Sequence, residues 1–159
     1  MKKSAGILLY RKKQKKVQVF LIHPGGPFWR NKDMGAWSIP KGEFTEKEEL
    51  LAAAKRELKE EVGIDCDGPF IELTSLKQKS GKIVYAWAAE KNIDAEKIVS
   101  NTFQMEWPPK SGMFANFPEV DKGQWFDPAE ARQKINPSQA GFIDELLLKL
   151  KSQVSMKHK

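Results

Sequence analysis

Short runs of apolar, β-branched and aromatic residues predict a chain rich in β-strands. The first two runs, Ile7–Tyr10 and Val17–Ile22, flank the charged segment RKKQKK, which predicts a hairpin loop. Gly, Pro and Asn are frequent in residues 24–37, a composition typical of a loop. Further strands are predicted at Trp37–Ile39, Phe70–Leu76, Ile83–Ala89, Thr102–Trp107 and Gln124–Phe126.

One helix is predicted between these strands. Thr45 is followed three residues later by Glu48, a capping-box pattern, so we expect the helix to begin near Thr45. Gly63 is expected to end the helix directly after Val62. Its core-facing side is predicted by apolar residues at helical spacing, namely Leu51, Ala54, Leu58 and Val62.

Two more helices are predicted near the C-terminus. Asp127-Pro128 begins a short one, and Asn136-Pro137 begins a last one that ends near Lys151, because each proline follows a capping residue. Strands precede, flank and follow the central helix. This order predicts an α+β fold with a mixed sheet and helices on its faces, built as a single domain over residues 1–159.

Composition narrows the class of protein. The chain has 159 residues, of which 40% are hydrophobic, so it can bury a core and is not expected to be disordered. A mean hydropathy of −0.55 argues against a membrane span. The lone Cys66 cannot form an internal disulfide, which favours a cytoplasmic protein.

The net charge of +6 is unevenly distributed. Residues 1–16 carry seven basic side chains and no acid, and residues 149–159 carry four lysines and no acid. Since these ends contribute +11 to the net +6, residues 17–148 carry −5. The excess of base therefore lies at the two ends, and a nucleic-acid-binding domain is not expected.

Three glutamates stand out in the last turn of the predicted central helix. Glu57, Glu60 and Glu61 fall within an arc of about 100°, and like charges at this spacing repel each other. The helix dipole also disfavours negative charge at this end. One interpretation is a solvated acidic face flanked by Lys55 and Lys59. The other is a site for a hard divalent cation, which requires clustered oxygen ligands.

A longer pattern favours the second interpretation. From Gly42 to Ile64 the sequence reads Gly, five residues, Glu, seven residues, then Arg-Glu-apolar-x-Glu-Glu-x-Gly-apolar. This resembles the Nudix box at every position, which here means Gly42, Glu48, Arg56, Glu57, Leu58, Glu60, Glu61, Gly63 and Ile64. The resemblance implies the Nudix fold, a mixed sheet between helices in which the box forms a loop, a helix and a loop.

The resemblance also implies roles for the box residues. Glu60 and Glu61 are expected to bind Mg²⁺, or Mn²⁺ in its place, together with the backbone carbonyl of Gly42. Glu57 is expected to be a further metal ligand or the base that takes a proton from water, and Arg56 to orient a glutamate. The implied reaction is cleavage of a P–O–P bond in a nucleoside diphosphate linked to another group, by metal-activated water.

Residues outside the box suggest the substrate. The run WSIPKGE resembles the segment before the box in hydrolases of dinucleoside polyphosphates and of diphosphoinositol polyphosphates. Within it, Lys41 is either a phosphate ligand or a solvent-exposed turn lysine. Glu119 resembles a glutamate that many Nudix enzymes use as metal ligand or base, with Asp121 as a competing candidate. His23 is expected to be an exposed or hydrogen-bonded histidine without a catalytic role.

Aromatic residues in two predicted loops are candidates for stacking on a nucleobase. Trp29, with Phe28, precedes the box, and Phe114 and Phe117, with Trp107, lie in the Pro- and Gly-rich stretch from residue 106 to residue 126. The alternative is that these side chains cover the edge of the sheet, and we expect this for at least two of the three in the later stretch.

The sequence leaves the substrate open. A dinucleoside polyphosphate or a nucleoside triphosphate is the preferred small-molecule substrate. Alternatives are a diphosphoinositol polyphosphate and the 5′ end of RNA, the latter suggested by the basic N-terminal segment. A Nudix module that binds nucleotides without cleaving them is a further alternative, although such modules usually lose box glutamates and this chain retains all of them.

Overall fold

The protein is described here from a computed structural model covering residues 2–157, with side chains as far as residue 153. The last residues of the basic C-terminal end, 158 and 159, lie outside the described part. The strands are β1 Lys3–Lys13, β2 Lys16–Pro24, β3 Lys41–Glu43, β4 Phe70–Lys77, β5 Ile83–Glu90, β6 Thr102–Glu106, β7 Phe114–Pro118 and β8 Val120–Phe126. The helices are α1 Leu50–Val62, α2 Pro128–Lys134 and α3 Ala140–Lys157, with 3₁₀ turns at Ala95–Lys97 and Pro137–Gln139.

The main sheet is mixed, as the sequence predicts. Its strand order is β4-β5-β1-β2-β8, and β3 pairs with β1. Strand β1 runs parallel to β5 and antiparallel to β2 and β3. Residues 4–10 of β1 are all buried, because this central strand is covered on both faces.

Helices cover both faces of this sheet, which confirms the predicted α+β layout. On one face, α1 packs Leu58 against β1 residues such as Ile7. On the other face, α3 packs Phe142 and Leu146 against Leu8. Alternate residues of β1 thus serve two separate apolar clusters. Among residues 2–157, no helix is both long enough and apolar enough to cross a membrane.

The start of the central helix differs from the prediction. Helix α1 begins at Leu50, and its N-cap is Glu49, whose carboxylate accepts hydrogen bonds from the backbone N–H groups of Leu51 (3.3 Å) and Ala52 (2.9 Å). The expected capping box is wrong because the Glu48 side chain pairs with Arg56 instead. The predicted end at Gly63 is confirmed, with φ of +82°.

Two strand predictions near the N-terminus were wrong in their bounds. Residues 37–39 form only isolated bridges, Ile22 with Ser38 and Trp37 with Ile135, and the strand lies after Pro40 instead. The charged segment RKKQKK is mostly strand, with a turn of only two residues, Gln14 and Lys15. Lysines are tolerated here because this end of the hairpin is exposed.

A second sheet replaces part of the loop predicted between residues 106 and 126. Strands β6 and β7 form an antiparallel pair, so the placement of Phe114 and Phe117 in a loop was wrong. Phe103 and Phe117 face each other across the pair, with ring centroids 6.1 Å apart. This contact joins residues that are distant in sequence. The local Pro and Gly content is typical of a loop and therefore did not predict the strand pairing.

We predict that Gly63→Ala lowers the free energy of unfolding by about 1–2 kcal/mol or more, since alanine resists positive φ. A Cβ at Gly63 would also lie 3.0 Å from the carbonyl oxygen of Val99. Gly81 is the matched control, because it has φ of +93° but nothing within 4 Å of its Cβ position. Urea unfolding of both variants measures the difference. An equal or larger loss in Gly81→Ala would contradict the crowding at Gly63.

Candidate active site

Four carboxyl groups near the end of α1 lie within electrostatic reach of one another. Glu57, Glu60 and Glu61 come from α1, and Glu119 comes from the junction of β7 and β8. Glu57 and Glu61 are only 7% and 9% exposed. Burial, and then the neighbouring charge of Glu60, raises the pKa of Glu119. The charge of Glu119 in turn adds to burial in raising the pKa values of Glu57 and Glu61.

Strand β3 lies directly against this acidic end of α1. A Cβ at Gly42 would come within 2.1 Å of the Glu57 carboxyl group, so only glycine fits between β3 and the helix. The backbone N–H of Lys41 donates to Glu61 Oε1 at 2.9 Å. β3 is itself held by β1, where Ala5 pairs with Gly42. The sheet therefore fixes the position of the carboxylates.

Arg56 connects three of the acids. Its Nε donates to Glu48 (2.8 Å), and its Nη1 donates to Glu57 (2.8 Å) and to Glu60 (3.1 Å). The Glu48 hydrogen bond is the main reason why the pKa of Arg56 lies above its usual range. Glu48 is therefore a partner of Arg56, and Arg56 contacts two glutamates of the predicted metal site.

The donor set suits a divalent cation, although the side chains do not yet surround one. Carboxylate oxygens and the Gly42 carbonyl are the hard ligands that Mg²⁺ requires. Within residues 2–157, no three His, Cys, Asp or Glu side chains converge closely enough to hold an ion as they stand. Two of the glutamates point to Arg56 instead. The metal ligands Gly42, Glu57, Glu60 and Glu61 remain predictions.

Lys41 lies beside Glu61, and Lys82 lies beside Lys41. The ammonium groups of Lys41 and Lys82 are close enough to repel each other, and burial followed by this repulsion lowers the pKa of Lys41 to about 8. Lys82 is 21% exposed and lies 3.7 Å from Glu43. Ser4, paired with Glu43 in the sheet, has a buried hydroxyl with no partner among the described residues. Lys41 is thus half-buried and not the solvent-exposed turn lysine of the alternative interpretation.

A groove opens next to Lys82. It has a volume of about 720 Å³ and is lined by Lys2, Glu43, Lys77, Ser80, Gly81 and Lys82. Sequence reasoning missed Lys82, since it approaches Lys41 only through the parallel pairing in which Lys3 lies opposite Ile83. A lysine at the start of an apolar strand was the only local signal.

The aromatic candidates divide into exposed and packed side chains. Phe114 is 62% exposed and Trp29 39% exposed. Phe117 is half-buried against Phe103 and contributes to the hairpin. Phe28 meets Trp107 edge-on, with centroids 5.9 Å apart, so the loop before the box contacts the β6–β7 hairpin. Phe114 and Phe117 are three residues apart on β7, so their side chains face opposite sides of the β6–β7 hairpin.

Glu119 and Asp121 are directed to different places. Glu119 lies within electrostatic reach of Glu57, Glu60 and Glu61, whereas the Asp121 carboxylate accepts a hydrogen bond at His23 Nδ1, 2.9 Å away. His23 is 2% exposed and hydrogen-bonded, so of the two expectations for it the hydrogen-bonded one is correct. Asp121 therefore does not compete with Glu119 for a place in the cluster.

Comparison with known proteins agrees with this architecture. A family model described as NUDIX domain matches residues 1–146. The fold is similar to a C. elegans Ap4A hydrolase, with a TM-score of 0.64 and 22% identity over 96% of this chain and 99% of that chain. A mutT/nudix family protein from Listeria innocua has a TM-score of 0.67 and 17% identity over 98% and 97% of the two chains.

A third similar structure is the NUDIX domain of Shewanella oneidensis NrtR complexed with ADP ribose. Its TM-score is 0.63, with 15% identity over 93% of this chain and 87% of that chain. No curated protein matches the sequence. Identities at this level show likeness of fold alone.

We predict that, in the presence of a chelator, stability falls as the pH rises from 5 to 8. Burial raises the pKa of Glu61 from 4.5 to about 8, so the folded state holds a proton that the unfolded state releases. That contribution is complete below pH 4.5 and is lost as the pH passes 8. Lys41, whose pKa is lowered to about 8, stays protonated in both states over most of this range and opposes part of the loss only as the pH approaches 8.

The expected loss is roughly 1 kcal/mol per pH unit from the proton linkage of one group. Urea unfolding at several pH values measures it, and Glu61→Gln should flatten most of the dependence. Glu130→Gln, at an exposed residue of α2, is the control. A wild-type stability that stays constant or increases from pH 5 to 8 would contradict the buried Glu61.

Proposed function

The chain belongs to the Nudix hydrolase family, and we propose that it hydrolyses a P–O–P bond in a dinucleoside polyphosphate or a nucleoside triphosphate with Mg²⁺. The observation that supports this most is the placement of Glu61, one of four clustered carboxyl groups, beside Lys41, which in turn lies beside Lys82. Acids suit a divalent cation, and paired lysines suit a chain of phosphates. The family uses divalent metal ions, and Mn²⁺ is an acceptable substitute for Mg²⁺.

Each acidic residue has a defined task in this proposal. Glu60, Glu61 and the Gly42 carbonyl hold the cation, with Glu57 as a further ligand or as base. A bound divalent cation neutralises phosphate charge and lowers the pKa of a bound water. Glu57 and Glu119 both have pKa values raised by burial, which suits a group that accepts a proton near neutral pH. Arg56 holds Glu57 and Glu60 in place.

The phosphate chain is expected to run from the carboxylates towards the lysines. Lys41 interacts with both Glu61 and Lys82, so it stands between the acids and the groove. An anion bound there would offset the repulsion between the two ammonium groups. On the other side, Trp29 and Phe114 are exposed and available to stack on a base, whereas Phe117 is not.

The RNA alternative is weakened by the position of the basic hairpin. Its turn, at Gln14 and Lys15, follows Lys13 at the far end of β1. Gly42 pairs with Ala5 at the near end, which places the turn about 25 Å away at 3.3 Å per residue. The basic hairpin turn therefore does not line the site, and of the basic N-terminal side chains Lys2 is the one that lines the groove. We also propose that residues 1–159 form one domain and that the protein, with its single buried Cys66, is cytoplasmic.

We predict that Glu60→Gln and Glu61→Gln each lower kcat by about 100-fold or more, because each removes a charged oxygen ligand. Products released from a panel of nucleotides with Mg²⁺, resolved by chromatography, report the substrate and the bond cleaved. Glu46→Gln, at an exposed box position outside the motif, is the matched control. If the wild type released no product from any nucleotide, the non-catalytic binding module would be the better interpretation.

We predict that Lys82→Met raises the KM for a dinucleoside tetraphosphate about tenfold, as expected for loss of a charge-assisted contact. The KM for a dinucleotide joined by two phosphates should change less, because its shorter chain ends nearer to the carboxylates. Lys79→Met is the control, since Lys79 is exposed in the same turn. Equal effects of Lys82→Met on both substrates would contradict a phosphate path along the lysines.

A further inference from the structure

We propose that His23 and Asp121 are a positioning pair, which holds Glu119 and the loop 25–36 in place beside the carboxylate cluster. This inference rests on the proposed function, because it assigns the pair a task in the same reaction. Neither residue contacts the cluster directly. The pair acts through the backbone on either side of it.

The hydrogen bonds of His23 determine its protons. The Nε2 atom lies 2.6 Å from the carbonyl oxygen of Lys32, and a carbonyl oxygen only accepts, so Nε2 donates. The Nδ1 atom lies 2.9 and 3.1 Å from the two carboxylate oxygens of Asp121. A bare Nδ1 lone pair would repel an ionised carboxylate at that distance. A second proton must therefore lie between Nδ1 and Asp121.

The pair crosses a point where the sheet is irregular. The β2–β8 pairing shifts register between His23 and Pro24, which leaves Asp121 as the extra residue between Val120 and Lys122 on β8. The Glu119 backbone just before it is bonded on both sides, since its N–H donates to the Asn101 carbonyl at 2.8 Å and its carbonyl accepts from the Gly25 N–H at 2.9 Å. The His23–Asp121 bond holds the irregular point itself, and so constrains the segment from which the Glu119 side chain extends.

The other ring nitrogen anchors the loop that carries Phe28 and Trp29. Lys32, whose carbonyl His23 binds, lies near the middle of this exposed stretch. The next residue of the loop, Asp33, accepts a hydrogen bond from Trp37 Nε1 at 2.8 Å. The Trp37 ring meets His23 edge-on, with centroids 5.2 Å apart. One buried imidazole therefore connects the loop, the Trp37 segment and β8.

Few charged groups surround the imidazole. Asp121 and Lys122 come from β8, with the Lys122 Nζ 5.5 Å from the centre of the Trp37 ring. Asp33 from the loop pairs with Lys134 of α2. Asp121 is the only one of these that contacts His23 itself. Removing the Asp121 carboxylate therefore leaves the ring with an unmatched buried nitrogen.

Asparagine provides a sharp test at position 121. The side-chain amide of an asparagine there can donate an N–H to Nδ1 while Nε2 continues to donate to Lys32, so Asp121→Asn keeps both hydrogen bonds without the extra proton. Asp121→Ala loses one of them. We expect Asp121→Ala to lower kcat about tenfold or more through a displaced Glu119. Asp121→Asn should restore kcat to within about threefold of the wild-type value.

A double-mutant cycle separates positioning from a general loss of structure. If Asp121 acts through Glu119, Asp121→Ala should lower kcat much less in a Glu119→Gln background. Asp144→Ala is the control for stability, because it removes the Arg132–Asp144 ion pair (2.6 Å) away from the site. An equal kcat loss in both backgrounds, or equal kcat for Asp121→Ala and wild type, would overturn the proposal.

Trypsin provides a measure that needs no activity. Arg30 and Lys32 are exposed cleavage points in the loop. Asp121→Ala should speed cleavage there, and Asp121→Asn and Asp144→Ala should not. Unchanged cleavage in Asp121→Ala would refute the anchoring of the loop. If the wild type hydrolyses no nucleotide while Asp121→Ala alone opens the loop, the proposed reaction fails and the anchoring stands.

Discussion

The burial of glutamate side chains between α1 and β3 is the contact that shapes this protein. Helices usually turn an apolar face inward, but here Glu57 and Glu61 are buried beside Leu58. Burying carboxylates is costly unless they are hydrogen-bonded. The Lys41 N–H and the Arg56 guanidinium supply those bonds, and Gly42 supplies the space. Strand β3, only three residues long, can do this because β1 holds it in register.

This contact also gives the site a direction. Lys41, in β3, and Lys82, just before β5, lie on one side of the carboxylates. Glu119 comes from the opposite side, next to the loop that carries Trp29 and the hairpin that carries Phe114. The carboxylates thus lie between a basic groove and an aromatic surface. A molecule with a phosphate chain at one end and a flat ring at the other matches this order. This order of a basic side, a central acidic cluster and an aromatic side follows from the topology of the sheet, and α1 alone could not produce it.

The sequence predicted the features that depend on neighbouring residues. The end of α1 at Gly63 and the spacing of the box glutamates are local patterns, and the structure places them accordingly. Features that depend on distant partners were missed. Glu48 turned to Arg56 instead of capping the helix, Lys82 reached Lys41 through the β1–β5 pairing, and the β6–β7 hairpin formed between stretches separated by a loop. The last two required knowledge of which strands are neighbours, and the first required knowledge of how Arg56 is oriented on α1.

The distribution of charge determines how the site binds phosphate and a cation. The net charge of +6 comes from the chain ends, and the basic hairpin turn is remote from the site. The site has five acids, Glu48, Glu57, Glu60, Glu61 and Glu119, and three bases, Arg56, Lys41 and Lys82. Lys55 and Lys59 of α1 are directed to Phe70 and Asp65 instead. A phosphate chain approaching these residues alone meets repulsion. Compensation of the acids by a cation must therefore strengthen phosphate binding at the lysines, and by linkage phosphate must strengthen cation binding by the same factor.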